Sequence, residues 1–240
     1  MIQRVDPLGT GQHISGRFND ELESIKNLLL EMGGMVENQI DLTAEALVGG
    51  EHDAAKQVIT IDREINRLEV EIDEQCARII ALRQPAAFDL RLVISIAKVT
   101  TDLERIGDEA TRVAKIAMNN PDSDKVVVAA SPITHVSRQV SGMLRQSLDA
   151  FARLNLDAAS EILLSDRDAE GNYASGMAEL MRAIRGDVTR LDFYMDRIWA
   201  LRSLHRIGSH AVNIAEQVVY LVTGVDVRHT DEEGLRRLLQ

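Results

Sequence analysis

Apolar residues recur along most of the chain at intervals that alternate between three and four positions, the spacing of one face of an α-helix. The most regular run lies between about residues 86 and 118. Its apolar positions are Leu92, Ile96, Val99, Leu103, Ile106, Ala110, Val113 and Ala117. This run predicts a long amphipathic helix whose apolar face packs against other helices.

Two earlier runs predict helices over about residues 13–48 and 52–82. A Gly-Gly pair ends the first of them, and Gln84-Pro85 ends the second because the residue before a proline avoids the α region. The apolar face of the second helix consists of Ile61, Ile65, Leu68, Ile72, Ile79 and Leu82.

Glycines inside the first and the fifth predicted helix have different expected effects. Gly33 and Gly34 each cost a helix about 1 kcal/mol relative to alanine, so we expect them to allow close approach of a neighbouring helix. Gly171 and Gly176 weaken the run over about residues 157–184 and would permit a break there.

The second half of the chain begins after a turn-rich linker, Asn119–Asp124. Ser131-Pro132 predicts the start of a fourth helix that ends near residue 154, since serine suits the N-cap and proline the first helical position. Val126–Val128 is a short candidate for a strand. A sixth helix is expected to reach about Val222, with Arg197 replacing one residue of its apolar face.

An eight-residue motif occurs once in each half, on the third and sixth helices. The segment 103–110 reads Leu-Glu-Arg-Ile-Gly-Asp-Glu-Ala, and the segment 204–211 reads Leu-His-Arg-Ile-Gly-Ser-His-Ala. The sequence therefore predicts an all-α fold of two tandem, pseudo-repeated, antiparallel three-helix bundles. We expect the bundles to span residues 13–119 and 131–224, followed by a polar tail over 225–240 with a short helix near its end.

Composition and charge narrow the function further. The net charge of −11 disfavours nucleic acid and polybasic membrane contacts, which need clustered Lys and Arg, and it permits a cation or a basic partner surface. The single cysteine, Cys76, is expected to be a structural thiol in a reducing compartment. The sequence has neither an apolar signal core near its start nor a run of about 18 apolar residues, so we expect a cytoplasmic, soluble protein.

The first copy of the motif offers two carboxylates to a metal ion. Glu104 and Asp108 are four residues apart and therefore share a helix face that points away from the apolar seam. Exposed carboxylates are expected to keep ordinary pKa values, which speaks against acid–base catalysis, but their oxygens suit a hard cation. The alternative is a solvated face on which Asp108 pairs with Arg112, and spacing alone does not choose between the two.

The motif and several other segments resemble the PhoU family of bacterial phosphate-signalling proteins. The segment that carries the resemblance best is Asp102–Asp108. Further agreement over nearly the full length comes from residues 32–37, 83–92, 148–153, 215–224 and 226–229. The resemblance implies two three-helix bundles and a homodimer, which is common in the family. It also implies a Glu/Asp-x-x-x-Asp motif in each half that binds a metal ion such as Mg, Mn, Fe or Zn.

The second copy of the motif departs from the family pattern. His205 stands where the family usually has Glu, and Ser209 stands where it usually has Asp. Histidine suits a transition metal but not Mg²⁺, and a serine hydroxyl is a weak ligand. His210, Asn213 and Glu216 match the family pattern nearby. His205 and Glu216 are therefore the candidate ligands of a second site that is altered or lost.

The family's role is negative regulation, so the resemblance implies an adaptor and not an enzyme. It would connect the ATPase of the phosphate ABC transporter to the sensor histidine kinase that controls phosphate-starvation genes, and it would reach the inner membrane only through these partners. A di-iron carboxylate enzyme would need Glu-x-x-His motifs, which the sequence lacks. A helical scaffold with a merely solvated acidic face is the remaining alternative.

Overall fold

The computed structural model describes residues 16–119, 127–228, 230 and 232–238, and within them it contains helices and no β-strand. The first residues of the helix predicted from about residue 13 and most of the predicted linker lie outside these residues. The helices are α1 Gly16–Gly49, α2 His52–Arg83, α3 Ala87–Asn119, α4 Val127–Arg153, α5 Leu156–Gly186, α6 Leu191–Thr223 and α7 Glu232–Leu238, with a short 3-10 turn at Val188–Arg190 before α6.

The helix ends follow local chemistry, which the sequence predicted at Gln84. Gln84 closes α2 in the left-handed conformation, directly before Pro85. Gly224 does the same for α6, and its N–H donates to the carbonyl of Tyr220. Asn155 caps the start of α5, where its side chain accepts a hydrogen bond from the N–H of Ala158.

Most residues of the apolar seams are buried. On α3 every seam residue after Leu92 is buried, and the seam of α6 is buried from Ala200 to Leu221. Arg197 of α6 is buried as well and packs over the ring of Phe193. Leu82 was expected inside but is 64% exposed. The inward position of that turn is taken by Arg83, which donates two hydrogen bonds to Glu21 of α1.

The expected start of α4 at Ser131-Pro132 is wrong. The helix begins at Val127, which also excludes a strand at 127–128, and Pro132 lies inside it. Because Pro132 is only in the second turn, the proline removes a single helical hydrogen bond. Pro132 is buried against α5, where a Cβ atom at Gly176 would lie 3.1 Å from the proline Cβ.

Helix α5 is continuous, so its glycines do not break it. Gly176 lies at a close approach of three helices, because an added Cβ would also meet the side chain of Leu201 on α6 at 3.1 Å. A Cβ at Gly171 would meet nothing within 4 Å.

The six long helices form two side-by-side bundles that share one apolar core. Helices α1, α2 and α3 contact one another, as do α4, α5 and α6, and α3–α6 and α1–α4 contacts join the two sets. Across the joint, Glu37 and Asp41 of α1 meet Arg145 and Ser141 of α4 in antiparallel order. This arrangement confirms the predicted all-α fold and relates the halves by an approximate two-fold axis. None of the described helices carries an apolar stretch that would span a bilayer.

Candidate functional site

The first motif faces α2, where it meets further carboxylates. Glu104 is half-buried and Asp108 is exposed. Burial raises the pKa of Glu104 above its ordinary value, and the charges of Asp108, Glu69 and Asp62 raise it further. The expectation of an ordinary pKa at Glu104 is therefore wrong, because the residues of α2 enclose that side of α3 and hold like charges near it.

This acidic cluster, defined as Asp62, Glu69, Asp73, Glu104 and Asp108, has the donor chemistry of a hard-cation site. Burial also raises the pKa values of Glu69 and Asp73. One carboxylate oxygen of Asp62 is buried and has no hydrogen-bond partner among the described residues. A cation would relieve both the repulsion and the unpaired oxygen.

The side chains of the cluster do not, however, converge on one point. In the described part of the chain, no group of three or more His, Cys, Asp or Glu side chains lies close enough to hold a metal ion. Metal binding by Glu104 and Asp108 therefore stays a prediction that the donor types favour.

The glycine of each motif copy has a packing role. A Cβ at Gly107 would lie 3.1 Å from Oε1 of Gln39, a buried residue of α1. The amide of Gln39 donates to the carbonyl of Val58 on α2 and to the hydroxyl of Thr111 on α3, so it joins three helices. In the second half, a Cβ at Gly208 would meet Val140 of α4 at 3.2 Å. Glycine in both copies thus allows close helix contact beside the polar positions.

The second motif has an aromatic environment. The ring of His205 packs on the ring of Tyr173 from α5, with centroids 4.3 Å apart. The hydroxyl of Ser209 donates to the carbonyl of His205 within the same helix. The carboxylate pair of the first half is therefore replaced by an imidazole packed on a phenol ring and a hydroxyl bonded to its own helix.

His205 and Glu216 do not share a site. Both lie on the continuous helix α6, eleven residues apart. At 1.5 Å per residue this separation is about 16 Å, far beyond the reach of one metal ion. The hydrogen bonds to Asp226 raise the pKa of the Arg228 guanidinium, and the charge of Glu216 raises it further, so Glu216 lies near Arg228. Metal binding by His205 stays a prediction, but Glu216 would not be a second ligand of the same ion.

The contacts between α3 and α6 include polar residues whose role the sequence did not reveal. Nδ1 of His210 lies 2.8 Å from Oδ1 of Asp102, and the amide of Asn213 donates to the same oxygen at 2.9 Å. The signals in the sequence were the positions of these residues in or beside the repeated motif and their match to the family pattern, and neither tells which helix they contact.

A second cross-helix contact centres on Glu109, which is 2% exposed. Its Oε1 atom accepts a hydrogen bond from Arg112 at 2.6 Å, and Nη1 of Arg206 lies 2.7 Å from the same atom. The alternative in which Arg112 pairs with Asp108 is therefore wrong. Arg112 bonds to Glu109, one residue further along, because that carboxylate faces α6.

The thiol of Cys76 is not a reactive group. Its thiol is buried, and burial together with the charge of Asp73 raises its pKa to about 12. A thiol with this pKa stays protonated at neutral pH and is a poor nucleophile.

Comparison with known proteins places this geometry in a family. The model of the PhoU domain matches residues 29–117 and 133–218, so one match covers the helices of each half. The chain belongs to the PhoU family. The two matches fall on the two helix sets, and the last helix of each set contains one copy of the motif.

Individual PhoU relatives cover almost the whole chain. A Pseudomonas aeruginosa protein named phosphate-specific transport system accessory protein PhoU homolog is 46% identical over 94% of this chain and 92% of its own. The Escherichia coli accessory protein PhoU is 39% identical over 98% and 97%. The crystal structure of PhoU from Pseudomonas aeruginosa superposes with a TM-score of 0.84 at 45% identity, covering 87% of this chain and all of that one. PhoU from Streptococcus pneumoniae gives 0.79 at 26% identity, covering 88% and 99%.

Proposed function

We propose that this protein is an accessory regulator of phosphate-specific transport. The observation that carries the proposal is the near-complete similarity, in sequence and in fold, to proteins named as accessory to the phosphate-specific transport system. On this proposal the protein is an adaptor that couples the phosphate ABC transporter to a sensor histidine kinase. It represses the phosphate-starvation response and modulates phosphate uptake.

The adaptor acts by contact and not by catalysis. Six long helices expose extended faces, and the two motif faces differ in charge: carboxylates cluster on α2 and α3, whereas Arg202, His205 and Arg206 lie on α6. A partner protein with two conformations can bind a face of this protein more tightly in one of them. Binding then shifts the partner toward that conformation. On the same proposal the protein works in the cytoplasm, as a homodimer, and reaches the inner membrane through its partners.

Metal binding is a second part of the proposal. Glu104 and Asp108, with Glu69 and Asp62 beside them, would hold a cation that accepts carboxylate oxygens, such as Mg²⁺, Mn²⁺ or Fe, whereas Zn²⁺ more often takes nitrogen or sulfur ligands. The ion would offset the carboxylate repulsion that raises the pKa of Glu104. It would thereby tie α2 to α3 at the motif.

Binding assays with purified components test the adaptor role. The transporter's ATPase subunit and the cytoplasmic part of the sensor kinase are immobilised separately, and this protein is passed over each. We expect saturable binding to at least one of them, and an unrelated acidic helical protein serves as the control. Binding to neither would overturn the adaptor role and leave a helical scaffold.

Elemental analysis tests the metal. Protein purified without chelator should carry metal that is lost in Glu104→Ala/Asp108→Ala. The matched control is Glu64→Ala/Glu71→Ala, which removes two exposed or half-buried carboxylates of α2 that pair with Arg67. Equal metal content in all three proteins, or none in any, would show that the motif is not a metal site.

A further inference from the structure

A cationic groove lies between α3 and α6, away from the acidic cluster. It has a volume of about 420 Å³ and is open to solvent. Its lining consists of Glu109, Arg112, Lys115, Ile116, Trp199, Arg202, Ser203 and Arg206. Four of these side chains are cations, and the one carboxylate is the buried Glu109.

Glu109 fixes two of the four cations in place. Arg112 and Arg206 both bond to its Oε1 atom, one from each helix, while about half of each arginine side chain remains exposed. A guanidinium has five N–H donors in a rigid plane, so each arginine keeps donors for an anionic partner. Since the buried carboxylate already holds these side chains, less conformational entropy is lost when they bind one.

The apolar end of the groove is formed by Trp199 and Ile116. The indole of Trp199 is 52% exposed, and the guanidinium of Arg202 lies over it at 5.9 Å. Tryptophan and arginine are the residues most enriched among those that carry the energy of protein–protein binding. Inorganic phosphate would use the cations but would gain nothing from the indole or from Ile116.

The positive charge of the groove comes from both halves of the chain. Arg112 and Lys115 lie on α3, and Arg202 and Arg206 lie on α6. A shift of 101 residues aligns the two motif copies and places Arg202 where α3 has Thr101, so one of the four cations is absent from the first half. The net charge of −11 would repel an acidic partner elsewhere on the surface, whereas these four cations attract it.

We propose that this groove, with Lys115, Arg202 and Trp199 as its accessible contacts, binds an acidic segment of a protein partner, with an apolar side chain of that segment against the indole. The inference rests on the proposed adaptor function and names the surface through which the adaptor engages a partner. The carboxylates of the segment would pair with the cations of both helices.

Charge reversal at the groove tests the proposal. Lys115→Glu/Arg202→Glu changes two exposed side chains that make no bond to Glu109, so the fold should be kept. Arg63→Glu/Arg138→Glu, on exposed positions of α2 and α4, is the control with the same change in net charge. For a partner that binds the wild type, we expect the groove variant to bind about tenfold more weakly or worse and the control to bind within about twofold.

The outcomes separate this inference from the adaptor function. Wild-type binding to the ATPase subunit or the kinase, together with equal binding by the groove variant, would overturn the groove and leave the adaptor role intact. Failure of the wild type to bind either protein would overturn both. Circular dichroism and thermal melting of each variant exclude loss of fold as the cause.

Trp199 is the only tryptophan of the chain and therefore reports on the groove directly. Protein labelled with 5-fluorotryptophan has one ¹⁹F resonance. This resonance should shift when the ATPase subunit or the kinase, whichever binds the wild type, is added, and it should stay unchanged with millimolar inorganic phosphate. A shift at micromolar ATP would assign the groove to a nucleotide instead. A shift that depends on the concentration of this protein alone would assign it to a second copy of the chain.

Discussion

Asp102 on α3 and His210 on α6 are joined by a short contact, with Oδ1 of Asp102 2.8 Å from Nδ1 of His210. Asn213, one turn further along α6, donates to the same oxygen. The three side chains link the central helices of the two halves, and both Asp102 and His210 are largely buried. The joint between the bundles therefore depends on matched polar groups as well as on the shared apolar core.

Removal of the Asp102 carboxylate should destabilise the protein. Asp102→Ala leaves His210 and Asn213 without their acceptor, and an unpaired buried polar group costs about 1–3 kcal/mol. We expect the free energy of unfolding, measured by urea denaturation, to fall by about that amount. Lys115→Ala at an exposed position of the same helix is the control and should change it by under about 0.5 kcal/mol. Equal effects of the two substitutions would show that the joint does not depend on Asp102.

The acidic cluster should make the free energy of unfolding depend on pH in metal-free buffer. The pKa of Glu104 is raised by burial and by Asp108, Glu69 and Asp62, so the folded state binds a proton more tightly than the unfolded state. The resulting stabilisation is complete below the ordinary value of 4.5 and is lost as the pH rises through the raised pKa.

Glu104→Gln isolates this contribution from that of other groups. The variant lacks the charge, so its free energy of unfolding should exceed that of the wild type at pH 7 in metal-free buffer. The difference should shrink as the pH falls toward the ordinary value of 4.5, because the wild-type carboxyl takes up its proton on the way. A difference that stays constant between pH 7 and 4.5 would contradict the crowding of carboxylates at the motif.

The adjacent glycines of α1 should respond in different ways to alanine. A Cβ at Gly33 would lie 2.8 Å from the side chain of Leu148 on α4, whereas one at Gly34 would meet nothing within 4 Å. Gly34→Ala should therefore raise the free energy of unfolding by about 1 kcal/mol, the difference in helix propensity. Gly33→Ala should gain less or lose stability, because Leu148 has to move. Thermal melting of the two variants side by side checks this, and identical shifts would refute it.

The helices could be predicted because each carries its own signals. The seams of α3 and α6, the end of α2 at Gln84 and the cap at Asn155 depend on residues a few positions apart. The start of α4 was misplaced because serine followed by proline is a good helix start in isolation, whereas Pro132 also fits in the second turn when it packs against Gly176. Of the adjacent glycines Gly33 and Gly34 in α1, only Gly33 faces another helix, and sequence spacing does not distinguish them.

The polar positions were harder to predict because their partners are distant in sequence. Glu104 and Asp108 could be selected from the motif, but their proximity to Glu69 and Asp62 depends on the register of α2 against α3. The pairing of Arg112 with Glu109 instead of Asp108 depends on α6, which lies about a hundred residues away. The similarity to PhoU proteins gave the expected role of the motif without showing these contacts.

A promoter measurement tests most directly whether the protein restrains the phosphate-starvation response, as we propose. A reporter under a phosphate-starvation promoter is measured at high phosphate in the native host, with the gene present, removed and restored. We expect low reporter activity with the gene, high activity without it and low activity again on restoration. Equally low activity in the strain that lacks the gene would contradict the proposal.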